Sequence, residues 1–227
     1  MIDSKSYEPK NVFEIFYSND ESRLRIEDIV CGLEPLPAFG KCGILIYGVW
    51  GTGKTTLAKM LPTAIELGKT GEELSMSETI IACQQGFTGP QVMTMIERQL
   101  NTVSLNASKL HYFILDEVDN LTKQAQQSLK SALNTTRAIF VLTTNNVSQL
   151  DRGLLDRCVL VEMNAAQTIQ FAPIVQRITT SLNIFLTDTE ISTIIAGCNG
   201  SIRNVSFNIA RYARRKKARE LAASSPA

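Results

Sequence analysis

The eight residues Gly48–Thr55 restrict the possible fold of this chain more than any other segment does. They read Gly-Val-Trp-Gly-Thr-Gly-Lys-Thr and satisfy the phosphate-binding pattern Gly-x4-Gly-Lys-[Ser/Thr], the P-loop. An apolar run, Ile44–Tyr47, leads into the motif, and a helix is predicted to leave it through Leu57–Leu61. An accidental glycine turn would lack this context, in which the amino end of a helix faces the phosphates. The motif therefore predicts an α/β nucleotide-binding fold.

Each residue type of the P-loop has a physical task at a triphosphate. Glycines let backbone amides curl around the phosphates, because no β-carbon stands in the way. Lys54 is predicted to reach the β- and γ-phosphates, and the Thr55 hydroxyl to ligate Mg²⁺. Two interpretations of Trp50, packing on a neighbour and shielding the loop, stay open. The predicted contacts with ATP are Gly48, Val49, Trp50, Gly51, Thr52, Gly53, Lys54, Thr55 and Thr56.

A second motif, His111–Glu117, is an apolar strand that ends in two carboxylates. A buried parallel strand would deliver Asp116 to the carboxyl edge of the sheet, beside the P-loop, where Mg²⁺ needs a ligand. Glu117 can then polarise the attacking water as a general base. One carboxylate for the metal and one for water suffice, so Asp119 is predicted to be a surface or helix-start residue.

Short apolar runs and helical periods alternate along the first part of the chain. Runs without polar alternation indicate strands that are buried on both faces of a parallel sheet. Helical periods follow Gly89-Pro90, with one apolar face through Val92, Ile96, Leu100 and Val103, and Thr122, with Ala125, Leu129 and Leu133. The predicted strands are Gly43–Tyr47, Thr79–Cys83, His111–Leu115, Ile139–Leu142 and Val159–Met163.

After Met163 only helical patterns remain. Three helices are predicted: one carrying Ile174, Ile178 and Leu182, one starting at a Thr187–Glu190 capping box and ending near Asn199-Gly200, and one from Ser201. We therefore predict a doubly wound parallel α/β core over residues 1–163, a three-helix lid over 164–220 and a tail over 221–227.

Composition excludes several classes of protein. The 227 residues are 44% apolar and 20% charged with a net charge of +1, which is typical of a globular protein without general affinity for nucleic acid or membranes. No membrane span or secretory signal is recognised, so a cytoplasmic location is expected. The odd cysteine count and the distant single histidine argue against disulfides and a zinc site. All five cysteines, Cys31, Cys42, Cys83, Cys158 and Cys198, are predicted to be buried.

Five segments in order resemble the AAA+ ATPases, and within them the clamp-loader group of replication factor C small subunits and bacterial relatives. The resemblance extends over nearly the whole chain. Lys5–Pro9 resembles the family's opening Lys-Tyr-Arg-Pro, and Ala125–Lys130 resembles its Ala-Gln-x-x-Leu-Arg helix. Phe140–Asn145 resembles its sensor-one strand. Asp156–Cys158 resembles its Ser-Arg-Cys motif, and Gly200–Asn204 resembles its sensor-two motif Gly-Asp-x-Arg.

The resemblance implies roles for four further residues. Asn145 would orient water against the γ-phosphate, and Arg157 would be an arginine finger that neutralises transition-state charge in the adjacent subunit. Arg203 would contact the γ-phosphate in cis and couple ATP to closure of the lid. Lys130 would meet a DNA phosphate in the channel of a ring or spiral. The implied cofactors are ATP and Mg²⁺.

Partners follow from the same resemblance: copies of this chain or related ATPase subunits, DNA, and a sliding clamp or other replication protein, with no membrane. Two features depart from the clamp-loader pattern. A third, helical collar domain is not recognised, and Asp156 replaces the serine before the finger, where it is expected to pair with Arg157. The basic cluster Arg211, Arg214, Arg215, Lys216, Lys217 and Arg219 is interpreted either as a solvated helix end or as a DNA contact.

The sequence thus predicts an oligomeric ATPase of clamp-loader type whose ATP state controls its binding to DNA or a replication partner. Three alternatives stay open. They are another AAA+ DNA ATPase, such as a helicase loader or transposition regulator, a viral-type helicase, and an ATP-gated scaffold with little turnover.

Overall fold

The computed structural model describes residues 8–75, 78–85, 88–164 and 171–224. Its first part alternates strands and helices, and its last part is helical, as predicted. The strands are β1 (Gly43–Tyr47), β2 (Thr79–Ala82), β3 (His111–Asp116), β4 (Ala138–Thr144) and β5 (Cys158–Glu162). The helices are α1 (Asp20–Val30), α2 (Lys54–Thr70), α3 (Gly89–Leu100), α4 (Lys123–Ala132), α5 (Arg152–Asp156), α6 (Ala172–Leu182), α7 (Asp188–Ala196) and α8 (Ile202–Ser224). Short 3₁₀ turns lie at Val12–Glu14, Val118–Asn120 and Val147–Gln149.

The five strands form one parallel sheet in the order β2-β3-β4-β1-β5. Strand β4 is the centre, and it pairs with β3 on one side and β1 on the other. Because all strands run the same way, the ends of β1, β3 and β4 meet at one carboxyl edge. This arrangement confirms the predicted α/β class and brings the P-loop and Asp116 to the same edge.

Two hydrophobic clusters cover the two faces of the sheet. Helices α1 and α2 pack on one face, where Ile44, Ile114 and Val141 point. Helices α3, α4 and α5 pack on the other, where Leu45 and Phe140 point. The central strands are therefore buried on both sides, which explains why their sequences show continuous apolar runs.

Helices α6, α7 and α8 share a separate hydrophobic cluster that includes Phe171, Ile178 and Val205. The predicted capping box at the start of α7 is present, with Thr187 and Glu190 bonding each other's backbone amides. Helix α7 ends at Ala196, earlier than predicted, and a turn with left-handed Gly200 leads to α8. The proposed domain boundary at residue 164 adjoins residues 165–170, which lie outside the described residues, so the domain limits stay a prediction.

Four details of the sequence interpretation are corrected. Helix α3 ends at Leu100, so Val103 lies outside it and is exposed instead of packed. Cys31 is exposed, whereas the other four cysteines are buried. Helix α1 was not predicted, and α2 is longer than the predicted Leu57–Leu61. Of the opening segment Lys5–Pro9, only Glu8 and Pro9 are described. None of the described helices is long and apolar enough to cross a membrane.

Candidate nucleotide-binding and hydrolysis site

The P-loop leaves the end of β1 and enters α2 at Lys54, as the motif predicts. Two of its glycines are required by close contacts. Gly48 has a φ of 149°, and a β-carbon there would lie 2.1 Å from the carbonyl oxygen of Met163. Gly51 has a φ of 78°, and a β-carbon there would lie 2.3 Å from the Ser201 hydroxyl. The loop is therefore fitted closely between the last strand and the start of α8.

Lys54 is held inside the loop. Its Nζ donates to the carbonyl oxygens of Gly48, at 2.9 Å, and of Val49, at 2.6 Å. Burial lowers the pKa of this ammonium group, and nearby carboxylates, with Asp119 foremost, oppose that shift. The charge is thus desolvated and satisfied by the loop itself, in a position from which it can transfer its hydrogen bonds to phosphate oxygens.

Three side chains and one backbone amide are joined by hydrogen bonds beside Lys54. The Thr55 hydroxyl donates to Asp116 at 3.0 Å from Oδ1 and 3.2 Å from Oδ2. The Thr143 hydroxyl, on the central strand, donates to Asp116 Oδ1 and accepts the backbone N–H of Glu117 at 3.0 Å. Thr143 is fully buried and holds both acidic residues of the predicted pair, a role that the sequence interpretation missed.

The conformation of Glu117 is set by its neighbours. Its backbone is left-handed, with φ 59°, which is uncommon for a residue with a side chain. Asn120 Nδ2 donates to Glu117 Oε2 at 3.2 Å and to the Cys83 carbonyl at 3.1 Å. The carboxylate is therefore held near the ends of β2 and β3, with Oε1 left for another donor.

Asp119 is a helix-start residue, which was one of its two predicted roles. It lies in the middle of the Val118–Asn120 turn, and its Oδ1 is buried with no hydrogen-bond partner in the part of the chain described. Its charge acts on the pKa of Lys54 more than that of Asp116 does. A third carboxylate thus contributes to the field at the P-loop.

Asn145 directly follows β4, which pairs with β3, as its predicted role requires. Its side chain is half-buried at the carboxyl edge. The placement brings a neutral amide to the edge that also carries Asp116 and the P-loop. Its contact with water or phosphate stays a prediction.

Arg157 lies at the opposite edge of the sheet. Arg157 directly precedes β5, and the first residue of β5 pairs with the first residue of β1. About six residues along the strand direction, or about 20 Å, therefore separate Arg157 from the P-loop at the other end of β1. Its Nε donates to Asn134 at 2.8 Å and its Nη1 to the Gly153 carbonyl at 2.8 Å. The expected pairing with Asp156 is wrong: no ion pair joins them among the described residues.

The lid contacts the P-loop at the start of α8. The Arg203 backbone N–H donates to the Gly51 carbonyl at 3.2 Å, and the Arg203 side chain is exposed at this junction. A cavity of about 400 Å³ opens here between the core and the lid. Its apolar wall was missed by the sequence interpretation, because it is assembled from distant segments: Ile15, Phe16, Ile174 and Phe207. Apolar walls of this kind are typical of small-molecule and cofactor sites.

Three of the other predicted surface cations have bonding partners. Lys130 Nζ lies 3.4 Å from Asp151, so it is not a free phosphate ligand in this state. In the basic cluster of α8, Lys216 pairs with Glu190 at 3.1 Å and Lys217 donates to the Leu182 carbonyl. These two bonds support the interpretation of a helix end stabilising the lid. Trp50 is 73% exposed, and both interpretations of it, packing on a neighbour and shielding the loop, stay predictions.

Comparison with known proteins gives a consistent picture. Residues 44–164 match the "ATPase family associated with various cellular activities (AAA)". The chain is 26% identical over 201 residues to replication factor C small subunit 1 of Pyrobaculum arsenaticum, covering 88% of this chain and 58% of that protein. It is 25% identical over 234 residues to the replication factor C large subunit of Sulfurisphaera tokodaii, covering 95% of this chain and 51% of that protein. The chain thus spans somewhat more than half the length of these relatives.

Solved structures show the same fold. The Thermotoga maritima RuvB Holliday junction branch migration motor aligns with a TM-score of 0.68 over 97% of this chain and 68% of that one, at 16% identity. At this identity the likeness concerns architecture only. Together with the P-loop geometry and the match over residues 44–164, these findings show that the chain belongs to the AAA family of ATPases.

Proposed function

We propose that this chain binds ATP with Mg²⁺ at the carboxyl edge of its sheet, hydrolyses it in an oligomer, and uses the ATP state to control contacts with DNA or a replication protein. The observation that carries the proposal is the hydrogen-bonded group of Thr55, Asp116, Thr143 and Glu117 next to the buried ammonium of Lys54. A structural role alone does not require a hydroxyl, two acidic residues and a desolvated lysine at a loop shaped for phosphates.

The P-loop residues bind the triphosphate. Backbone amides from Gly48 to Thr56 surround the phosphates, and Lys54 exchanges its two loop carbonyls for phosphate oxygens. The exchange preserves the number of hydrogen bonds of the ammonium group, so nucleotide binding costs the group little hydrogen-bonding free energy.

The Thr55 hydroxyl and the Asp116 carboxylate fit Mg²⁺, because they are hard oxygen donors within 3.2 Å of each other. When bound there, Mg²⁺ neutralises charge on the β- and γ-phosphates. Thr143 holds Asp116 in place through its hydroxyl, and the same hydroxyl anchors the Glu117 amide.

Glu117 is the proposed general base. It accepts a proton from water while the water oxygen attacks the γ-phosphorus, and the bond to the β–γ bridging oxygen breaks to give ADP and phosphate. Asn120 occupies Oε2, which leaves Oε1 to accept the proton. Asn145 would orient the water from the neighbouring strand.

Arg157 and Arg203 are the two arginines proposed to act on ATP, the first in trans and the second in cis. About 20 Å separates Arg157 from its own P-loop, so it would act on the ATP of an adjacent copy or related subunit. Asn134 and Gly153 hold the guanidinium, while Nη2 has no partner among the described residues and is available for a phosphate oxygen. Arg203, at the contact of α8 with Gly51, would contact the γ-phosphate and so couple ATP binding to closure of the lid.

Handling of DNA or of a sliding clamp is proposed from the likeness to replication factor C subunits. A pull-down against a sliding clamp with an ATP analogue would support the clamp-loader form of the proposal. Strand displacement by the purified protein would contradict it and favour a helicase.

Two variants test the proposed chemistry. Lys54→Ala should abolish nucleotide binding, because Lys54 contacts the phosphates in the ground state, whereas Glu117→Gln should bind ATP like the parent and hydrolyse it about 10²-fold or more slowly. Glu97→Gln, an exposed carboxylate of α3, is the matched control and should keep parental turnover. Full turnover by Glu117→Gln would remove Glu117 from the general-base role.

A further inference from the structure

A two-residue turn protrudes just before β1, at the edge of the sheet that carries Arg157. Ala38 and Lys41 bond each other's backbone at 2.9 and 2.8 Å, with Phe39 and Gly40 at the tip. Both tip residues are left-handed, with φ 51° for Phe39 and 76° for Gly40. Such turns strongly prefer Asn-Gly or Asp-Gly, because a side chain with a bulky β-carbon is strained there.

Phe39 is also 97% exposed. An aromatic side chain in that position is unfavourable for the isolated chain in two ways, since both its backbone conformation and its solvation disfavour it. No packing contact within the described residues compensates. Exposure alone is common among the hydrophobic side chains of this protein, but Phe39 combines it with a strained backbone, and a partner that buries the ring would offset both costs.

The turn is rigidly connected to Arg157. Lys41 Nζ donates to the carbonyls on either side of the arginine, those of Asp156 at 2.6 Å and Cys158 at 3.0 Å. The backbone amides of Cys42 and Gly43 both donate to the Arg157 carbonyl, at 3.2 and 3.1 Å. Phe39 is three residues from Cys42, within about 11 Å along the chain. The turn that carries Phe39 and the backbone of Arg157 are therefore neighbours at one edge of the sheet.

The nucleotide face of this same chain has complementary properties. Next to the phosphates it exposes the apolar side chains of Val49 and Trp50. On that face Asp116, Glu117 and Asp119 outnumber the cations Lys54 and Arg203. At the Phe39 edge the cations Lys41, Arg152 and Arg157 outnumber the exposed carboxylate of Asp156. An aromatic, cationic edge and an aromatic, anionic face of one chain fit a head-to-tail contact between copies.

We propose that Phe39 is the apolar anchor by which one copy of the chain docks beside the nucleotide site of the next copy. The inference rests on the proposed action of Arg157 in trans. It adds a docking residue to that role, because the turn would place Phe39 against the P-loop face of the neighbouring copy, where Trp50 is exposed. This contact would fix the direction from which Arg157 approaches the neighbour's ATP.

The test is sedimentation velocity of the full chain with a slowly hydrolysed ATP analogue over a concentration series. Phe39→Asn suits the left-handed turn and should fold with the same or higher thermal stability. It should nevertheless raise the concentration for half-assembly about tenfold or more, the expected effect of no longer burying an aromatic side chain. Phe39→Gly should behave likewise. Phe185→Asn, at a lid residue that is 79% exposed, is the matched control and should assemble like the parent.

Turnover separates this inference from the proposed function. The turnover per chain of Phe39→Asn should fall at low protein concentration and recover at high concentration, whereas Arg157→Ala should stay slow at every concentration. Parental assembly by both Phe39 variants, an equal loss in Phe185→Asn, or a parent that stays monomeric with the analogue would each overturn the anchor. Parental turnover by Arg157→Ala would instead overturn the trans role itself.

Discussion

Replacing Thr143 with valine tests how the two acidic residues are held. Valine has nearly the shape of threonine and keeps the strand packed, but it removes the hydroxyl that donates to Asp116 Oδ1 and accepts the Glu117 amide. Asp116 retains the hydroxyl of Thr55. Glu117 keeps the contact of its side chain with Asn120 and the bond from the Asn120 N–H to its carbonyl, but its own backbone N–H loses its acceptor.

The expected loss follows from these two bonds. A hydrogen bond to a charged group is worth about 1.5–3 kcal/mol, and a backbone amide left without its acceptor costs about 1 kcal/mol or more, so we expect the free energy of unfolding to fall by about 3 kcal/mol. For a chain of this size the melting temperature should drop by about 6–12 °C. A displacement of Glu117 of about 1 Å should slow hydrolysis about 10²-fold.

Thr144→Val is the matched control. Thr144 is the next residue on β4 and is equally buried, and within the described parts of the chain its hydroxyl accepts only the Asn146 amide, at 3.0 Å. It should lose about 1 kcal/mol of stability and keep turnover within a few-fold of the parent. Thermal unfolding, ATP binding and steady-state phosphate release on the three proteins are the measurements. The reasoning is refuted if Thr143→Val hydrolyses ATP as fast as Thr144→Val.

Two further predictions concern the lid. Arg203→Ala should lose the ATP-dependent gain in compactness measured by small-angle scattering while still binding ATP, because the P-loop stays intact; an unchanged response would remove Arg203 from the site. The second concerns Glu190, whose pKa is lowered to about 2 chiefly by the Thr187 amide and then by Lys216. Its ionised form stabilises the lid above the ordinary pKa of 4.5 and loses this effect as the pH falls toward 2. Melting curves of the parent and Glu190→Gln should therefore differ at pH 5 and converge near pH 2, and a constant difference would contradict the assignment.

The sequence predicted the parts of the site whose signals are local. Gly48–Thr55 and Asp116-Glu117 each adjoin an apolar strand, and parallel strands bring their carboxyl ends together without further information. The capping box of α7 is likewise complete within four residues. Such features depend on spacing along the chain, which is visible before folding.

The missed parts depend on contacts between distant segments. Thr143 looks like one more residue of an apolar strand, and only the pairing of β4 with β3 shows that its hydroxyl reaches Asp116. The apolar cavity joins Phe16 to α6 and α8, which no periodicity relates. Helix α1 did have a local signal, Asn19 as an amino-terminal cap followed by Asp20 and Glu21, and it should have been found.

Charge partners were the least predictable feature. Asp156 is adjacent to Arg157 in sequence, but the guanidinium instead bonds Asn134 and Gly153. Adjacent residues at the end of a helix point in different directions, so neighbourhood in sequence is weak evidence for an ion pair.

The central claim is that hydrolysis needs two chains, one supplying the P-loop and carboxylates and the other supplying Arg157. The most direct measurement is the ATP turnover of Arg157→Ala mixed with Lys54→Ala at a fixed total concentration. Each variant alone should be inactive, the first with parental ATP affinity and the second with none. The mixture should recover part of the parental turnover, because an intact P-loop of one chain then meets an intact arginine of the other. Either of two results would contradict the claim: a mixture that assembles but stays inactive, or parental turnover by Arg157→Ala alone.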